Sequence, residues 1–249
     1  MPRYEFRTPR LYVDAPLGPG RDVLLDRDQA NYLLNVLRLG RGEAVLLFNG
    51  RDGEWRASLS GSEKRRTSLT VSSQLRAQPP AGDLHFLFAP LKHARLDYLV
   101  QKAVEMGASY LQPVLTRHTQ VARINLDRMR GNVVEAAQQC GILDVPGVGD
   151  PVRLEAVISD ERRFLVFCDE NADVKDPVAA LVEAKPGRAS LSILIGPEGG
   201  FSDEERTALL KRPKTVRIAL GPRILRADTA AVAALALVQA VLGDWRGTK

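Results

Sequence analysis

The sequence predicts an α/β chain in two parts, a small β-rich barrel over residues 1–75 and a parallel-sheet domain over residues 84–249. Three observations carry this expectation. Up to Ser73 the apolar segments are short and lie between Gly- and Asp-rich turns. "RAQPPAGD" at Arg76–Asp83 contains consecutive prolines, which exclude both helix and central strand, so residues 76–83 are expected to form a linker. Beyond it, runs that are apolar on both faces alternate with amphipathic stretches, the pattern of a parallel sheet covered on both sides.

In the first part "RLYV", "DVLL", "EAVLLFNG", "EWRASLSG" and "TSLTVSS" are expected as strands. One helix is expected over Asp28–Leu39, where Tyr32, Leu33, Val36, Leu37 and Leu39 recur with a period near 3.6 and Gly40 is placed to stop it. In the second part the expected strands are "LHFLFAP", "YLQPVLT", "RFLVFCDE", "SLSILIGPEGG" and "TVRIALGP". Between them, Lys92–Met106 forms a helix that turns Leu96, Leu99, Val100, Ala103 and Val104 inward and ends at Gly107. A second helix spans Asn125–Gln139. A third begins at "FSDEE", where Ser202 and Glu205 have capping-box spacing and Phe201 is placed as a hydrophobic staple. The last, about Thr229–Leu242, is apolar around nearly its whole circumference, so it is expected in a core or against a second subunit.

Composition narrows the function classes. A 45% hydrophobic content suits a folded chain, and a net charge of +5 permits a polyanionic partner without requiring one. The charge is weighted toward the N-terminal part, where residues 1–78 hold thirteen Lys and Arg against nine Asp and Glu. With two cysteines and no secretory apolar region at the N-terminus, a reducing cytoplasmic setting is expected. The apolar run Ala230–Leu242 is too short to span a bilayer, so no membrane association is expected. Scattered histidines and cysteines offer no metal-ligand spacing. Cys140 and Cys168 are expected as small buried side chains rather than nucleophiles.

Two strand-to-loop turns concentrate the candidate chemistry: "IGPEGGF" at Ile195–Phe201 and "ALGPRILRADTA" at Ala219–Ala230. Gly196 turns the backbone off its strand, Pro197 fixes the next φ, and Gly199 and Gly200 leave main chain open to close approach by a ligand. In open α/β sheets the ligand crevice lies beyond the carboxyl ends of the strands, which makes both turns candidate walls of one pocket; ordinary αβ turns remain the alternative. Neither turn carries a dinucleotide or Walker phosphate motif. Asp228 or Thr229 can cap the last helix, whereas Arg226, next to so apolar a segment, calls for a partner or a cleft. His93, Arg95 and Lys102 around one helix, and Arg117, His118 and Arg123 after a strand, are candidate phosphate contacts or solvated faces.

Together, "IGPEGGFSDEE", "ALGPRILRADTA", "KAVEMGASYLQPVLT", "EAAQQC" and "DQANYLLNVLRLGRGE" resemble the ribosomal RNA uridine methyltransferase family that modifies N3 of a uridine in small-subunit 16S rRNA. The resemblance spans nearly the whole chain. It implies a PUA-like RNA-binding barrel followed by a parallel-sheet domain with a deep trefoil knot of the SPOUT class, with S-adenosyl-L-methionine as cofactor. It further implies a cofactor site lined by Leu194, Gly196, Glu198, Gly200, Leu220, Gly221, Ile224, Leu225 and Arg226. Arg226 and Asp228 are the implied catalytic residues, with Asp228 orienting Arg226 or removing the N3 proton. The implied partners are 16S rRNA, within a small subunit or a late assembly intermediate, and a second copy of the chain. Arg10, Arg38, Arg95, Lys102, Arg117, His118 and Arg123 are the candidate RNA contacts.

The chain departs from the family in two places. Arg226-Ala227-Asp228-Thr229-Ala230 stands where the family commonly has Arg-Thr-Glu-Thr-Ala, and an arginine common soon after "EQC" is missing from Gly141-Ile142-Leu143-Asp144. These departures keep other RNA positions open, a ribose 2′-hydroxyl or a transfer RNA base; a non-catalytic RNA-binding assembly factor with a relic cofactor pocket is a separate alternative.

Overall fold

Period-two alternation in the N-terminal part builds a five-stranded sheet. The computed structural model describes residues 7–63, 66–121, 123–173, 176–184, 186–187 and 189–246. It groups Met1–Ala81 with Ala137–Val145 as one unit and Gly82–Ala136 with Pro146–Lys249 as a second. The first unit contains β1 (Arg10–Tyr12), β2 (Asp22–Leu24), α1 (Arg27–Asn31), β3 (Ala44–Phe48), β4 (Glu54–Glu63) and β5 (Arg66–Arg76). The strand order is β1-β3-β4-β5-β2, with β1 and β3 parallel and the other neighbours antiparallel. One face buries Leu11, Val23, Val45, Leu47, Ala57, Leu59, Leu69 and Val71. On the other face of β3, the Arg10 guanidinium lies 3.5 Å above the Phe48 ring.

The expected helix over Asp28–Leu39 is shorter and changes form. An Asp26–Gln29 capping box opens α1, which passes into a π-helical turn at Tyr32–Val36. A π turn inserts a residue into the helical register, so side chains spaced for a 3.6 period rotate off a common face. Leu33 is buried, whereas Tyr32, Val36 and Leu37 are exposed. The turn closes at Arg38, in the left-handed region at φ 57, with the Leu39 amide donating to the Leu33 carbonyl, so Gly40 is not the stop.

Residues 137–145 join this unit through arginines. Arg10 is buried; it donates to Glu54 at 2.6 Å and to the carbonyls of Ala137, Gln138 and Ile142. Arg76 holds the other oxygen of Glu54 at 2.7 Å and donates to the Gly141 carbonyl. Gly141 sits at φ 68 just past the helix Leu126–Gln139, a conformation glycine adopts without steric cost. The contiguous boundaries read from the sequence omit this return, because its partners are remote in the chain.

The second unit contains β6 (Leu84–Phe88), α2 (His93–Glu105), β7 (Tyr110–Leu115), α3 (Leu126–Gln139), β8 (Gly147–Val148), β9 (Val152–Arg153), α4 (Leu154–Ser159), β10 (Phe164–Cys168), α5 (Pro177–Ala184), β11 (Leu191–Ile195), α6 (Asp203–Lys211), β12 (Thr215–Ile218) and α7 (Ala227–Val241). Its strands are all parallel, in the order β12-β10-β11-β6-β7-β8, with β9 also paired to β7. Both faces of β10 and β11 are buried, as their unbroken apolar runs require. The helix over α2 buries the five residues expected, and Gly107 ends it at φ 81.

Two local expectations change, those for Phe201 and Cys140. The Ser202–Glu205 capping box forms, but the residue that a staple from Phe201 would meet is Arg206; Phe201 instead packs edge-on against Phe167, ring centroids 5.1 Å apart. Helix α7 buries only one stripe, Ala227, Ala231, Ala234, Leu235, Val238 and Gln239, leaving Val232, Ala233, Ala236 and Leu237 partly exposed. Cys140 is exposed rather than buried, since it follows the last residue of α3, whereas Cys168 inside the sheet is buried.

Candidate functional site

The sheet order sets the site. Strand β10 lies between β11 and β12, so the two Gly-Pro turns leave strands that flank it, about 10 Å apart at two strand spacings. The glycines of the first turn are closely packed. A Cβ on Gly196 would lie 2.4 Å from the Phe201 ring, and one on Gly199 would lie 3.3 Å from the His118 Cβ. Gly200, at φ 68, would place one 2.4 Å from Glu170 Oε1. These glycines therefore admit protein neighbours, where the sequence suggested open main chain. The second turn is the open one. Gly221 has φ 94 with no heavy atom within 4 Å of a notional Cβ, and Ile224 is 91% exposed.

Two acidic residues at the end of β10 escaped the sequence reading. Asp169 is 2% exposed and accepts from Arg206 of α6 and Arg217 of β12, at 3.2 and 2.8 Å. Arg206 also holds Glu170 at 2.7 Å, beside Gly200. One buried carboxylate thus fixes the element after the first turn to the strand before the second. The available signal was "CDEN", paired acids directly after an apolar strand.

Arg95, in the first turn of α2, ties the turns together from another side. Its Nε donates to Asp228 Oδ2 at 3.0 Å and its Nη1 to Glu198 Oε1. The Arg95 hydrogen bond holds the Asp228 carboxyl below its ordinary value despite partial burial. The implied orientation of Arg226 by Asp228 is not what the structure contains. Arg226 is exposed at the N-cap of α7, and among the described residues the ion-pair partner of Asp228 is Arg95. Of the other implied lining residues, Leu194 is fully buried in a cluster with Leu87, Val114, Phe167 and Phe201, so its side chain belongs to the core. Leu220 and Leu225 are partly exposed, and the Glu198 side chain is half exposed.

The candidate RNA contacts divide in the same way. Arg10 is buried among protein acceptors, which removes it from any phosphate surface. Lys102 is paired with Glu105 at 2.7 Å. The Arg117 amide donates to Glu205 at 2.8 Å, and His118 Nδ1 lies 3.1 Å from the Gly200 carbonyl, which docks this loop onto the first turn. The Arg117 side chain, Arg38 and Arg123 are exposed, and the side chain of His93 lies outside the described ones. Burial pushes the Cys168 thiol up to about 12, so it is inert as a nucleophile. Among the described residues, no group of three His, Cys, Asp or Glu is placed to hold a metal, and no helix is long and apolar enough to cross a membrane.

Comparison with known proteins bears on the activity. Residues 77–239 match the RNA methyltransferase domain family and residues 25–71 the RNA methyltransferase PUA domain family. The ribosomal RNA small subunit methyltransferase E of Rickettsia conorii is 28% identical over 92% of this chain and 94% of its own. That of a Synechocystis species is 31% identical over 88% of this chain and 73% of its own. Among solved structures, the ribosomal RNA small subunit methyltransferase E of Neisseria gonorrhoeae, bound to S-adenosyl methionine, superposes with a TM-score of 0.84 at 27% identity, covering 96% of this chain and all of that one. A Legionella pneumophila protein with bound SAM gives 0.80 at 29% identity, covering 94% and 98%. The fold is accordingly a PUA-like sheet followed by a parallel-sheet RNA methyltransferase domain. By matched domains, by identity over most of its length and by fold, the chain belongs to the ribosomal RNA small subunit methyltransferase E family.

Proposed function

We propose that this chain methylates N3 of a uridine in small-subunit 16S rRNA, with S-adenosyl-L-methionine as donor. The observation that carries the reading is the single guanidinium of Arg95 gripping Glu198 in one turn and Asp228 in the other, the second turn being the one that holds the open Gly221. These residues fit the donor. Gly221 leaves backbone without a side chain in front of it, Ile224 offers an uncovered apolar wall, and Leu220, Leu225 and Arg226 continue it. Leu194, Gly196, Glu198 and Gly200 form the first turn's side, Leu194 through its backbone because its side chain is core. The carboxylates of Glu198 and Asp228 favour a cationic sulfonium nearby. When bound, the donor supplies an electrophilic methyl carbon, the C–S bonding electrons staying on sulfur as N3 takes the methyl.

Asp228 is ionised at neutral pH and accepts the N3 proton, and the exposed Arg226 is available to the RNA. The N-terminal unit, with Arg38, and the exposed Arg117 and Arg123 hold the surrounding RNA through phosphates and shape. The half-covered apolar stripe of α7 fits a second copy of the chain, and the setting is the cytoplasm, on a small subunit or a late assembly intermediate.

The test uses small subunits lacking the modification, the protein and labelled donor, followed by nucleoside analysis. The expected product is 3-methyluridine. A ribose-methylated product or a methylated transfer RNA overturns the base assignment. RNA binding with no calorimetric response to S-adenosylhomocysteine overturns the enzyme reading in favour of an assembly factor. Sedimentation reads the second copy directly.

A further inference from the structure

Two of the three nitrogens of the Arg95 guanidinium have acidic partners. Nε faces Asp228 and Nη1 faces Glu198, while Nη2 is buried with no hydrogen-bond partner among the described residues. An enclosed donor without an acceptor is destabilising, and such groups are retained where something else supplies the acceptor. The atom belongs to a guanidinium whose plane is fixed by one carboxylate from each turn, Glu198 and Asp228. A forked pair of acidic partners is what orients a guanidinium rigidly.

We propose that Arg95 is a catalytic residue of this site: its Nη2 donates to the uracil carbonyl oxygen beside N3, with Glu198 and Asp228 holding the guanidinium in place. The inference rests on the uridine methyltransferase reading above. As N3 gives its proton to Asp228, negative charge spreads onto the two neighbouring carbonyl oxygens. A donor already aimed at one of them stabilises that charge without reorganising. The same arginine then sets both the acceptor of the proton and the acceptor of the charge. This gives Arg95 a catalytic part that the family resemblance placed on Arg226, and removes Arg95 from the phosphate-binding residues.

The test compares wild type, Arg95→Met and Arg95→Lys on two RNAs, one natural and one carrying 5-fluorouridine at the target, where fluorine acidifies N3–H. Calorimetry with S-adenosylhomocysteine and thermal melting accompany each variant. Arg95→Met is expected to lose about 10²–10³-fold in kcat on natural RNA, the cost of removing one oriented donor. On fluorinated RNA it recovers tenfold or more, because the base then needs less help to ionise. Arg95→Lys, which keeps the charge but not the fork, falls between wild type and Arg95→Met and covers the case in which Arg95→Met does not fold. The kcat values are read at saturating donor, so that any loss of S-adenosylhomocysteine affinity on releasing Glu198 and Asp228 does not enter them. Wild-type turnover with a variant kcat within threefold of it, or an equal loss on both RNAs, overturns the role of Arg95 alone. Wild-type protein that binds no S-adenosylhomocysteine and modifies neither RNA overturns the function on which it rests.

Discussion

Replacing Gly196 by alanine should separate packing from ligand approach. The backbone at Gly196 is not in the left-handed region, so alanine is conformationally acceptable there. Its Cβ, however, would lie 2.4, 2.9 and 3.0 Å from three carbons of the Phe201 ring. That ring is 2% exposed and clamped edge-on to Phe167 within the cluster of Leu87, Leu194 and Leu209, so it has no free space to enter. Either the ring or the turn must move, and overpacking of this kind costs about 1–3 kcal/mol. For a chain of this size that lowers Tm by roughly 2–12 °C. If the turn is what moves, S-adenosylhomocysteine affinity falls by about 5- to 150-fold. Melting and calorimetry on Gly196→Ala, Phe201→Leu and the double variant close a cycle. Trimming Phe201 should restore affinity to the Gly196→Ala background. Unchanged melting and binding in the single variant would refute the packing argument, and a loss that Phe201→Leu does not relieve would place the defect in ligand contact.

Three further outcomes are expected. Glu54→Gln leaves the buried Arg10 without its countercharge and should cost about 3–5 kcal/mol in urea unfolding. In the wild-type protein burial pushes Glu54 up, but bonds from Arg76 and Arg10 outweigh it and hold the carboxyl below 4.5, so its contribution is complete above that pH and is lost as acid titration passes below it. Asp169→Asn removes the shared partner of Arg206 and Arg217 and should weaken S-adenosylhomocysteine binding while lowering Tm; retention of both would show the cluster is dispensable. Thiol titration of the native protein at pH 8 should consume Cys140 and spare Cys168 until denaturant is added.

Locally encoded features were legible in the residues themselves. Unbroken apolar runs specify β10 and β11 because a strand buried on both faces needs apolar side chains at every position. Ser202 with Glu205 specifies the start of α6 because both partners of a capping box lie within one turn. Gly107 at the end of α2 and the turns after β11 and β12 were legible for the same reason. The resemblance of these turns to one family named the chemistry; their own spacing left it open.

Tertiary structure decided whatever depends on partners far apart in the chain. Arg10 and Arg117 are both arginines near strand ends, yet the first is sealed against Glu54 and three carbonyls while the second keeps its side chain in solvent. No local pattern separates them. The widening of Tyr32–Val36 into a π turn, the pairing of Asp228 with Arg95 and the placement of Asp169 between two arginines are of the same kind. Hydrophobic periodicity reports which face of an element is buried. It does not report which charged group, from about 40 to more than 130 residues away, will find its counterion there, because that pairing is fixed only when the strand order brings their ends together.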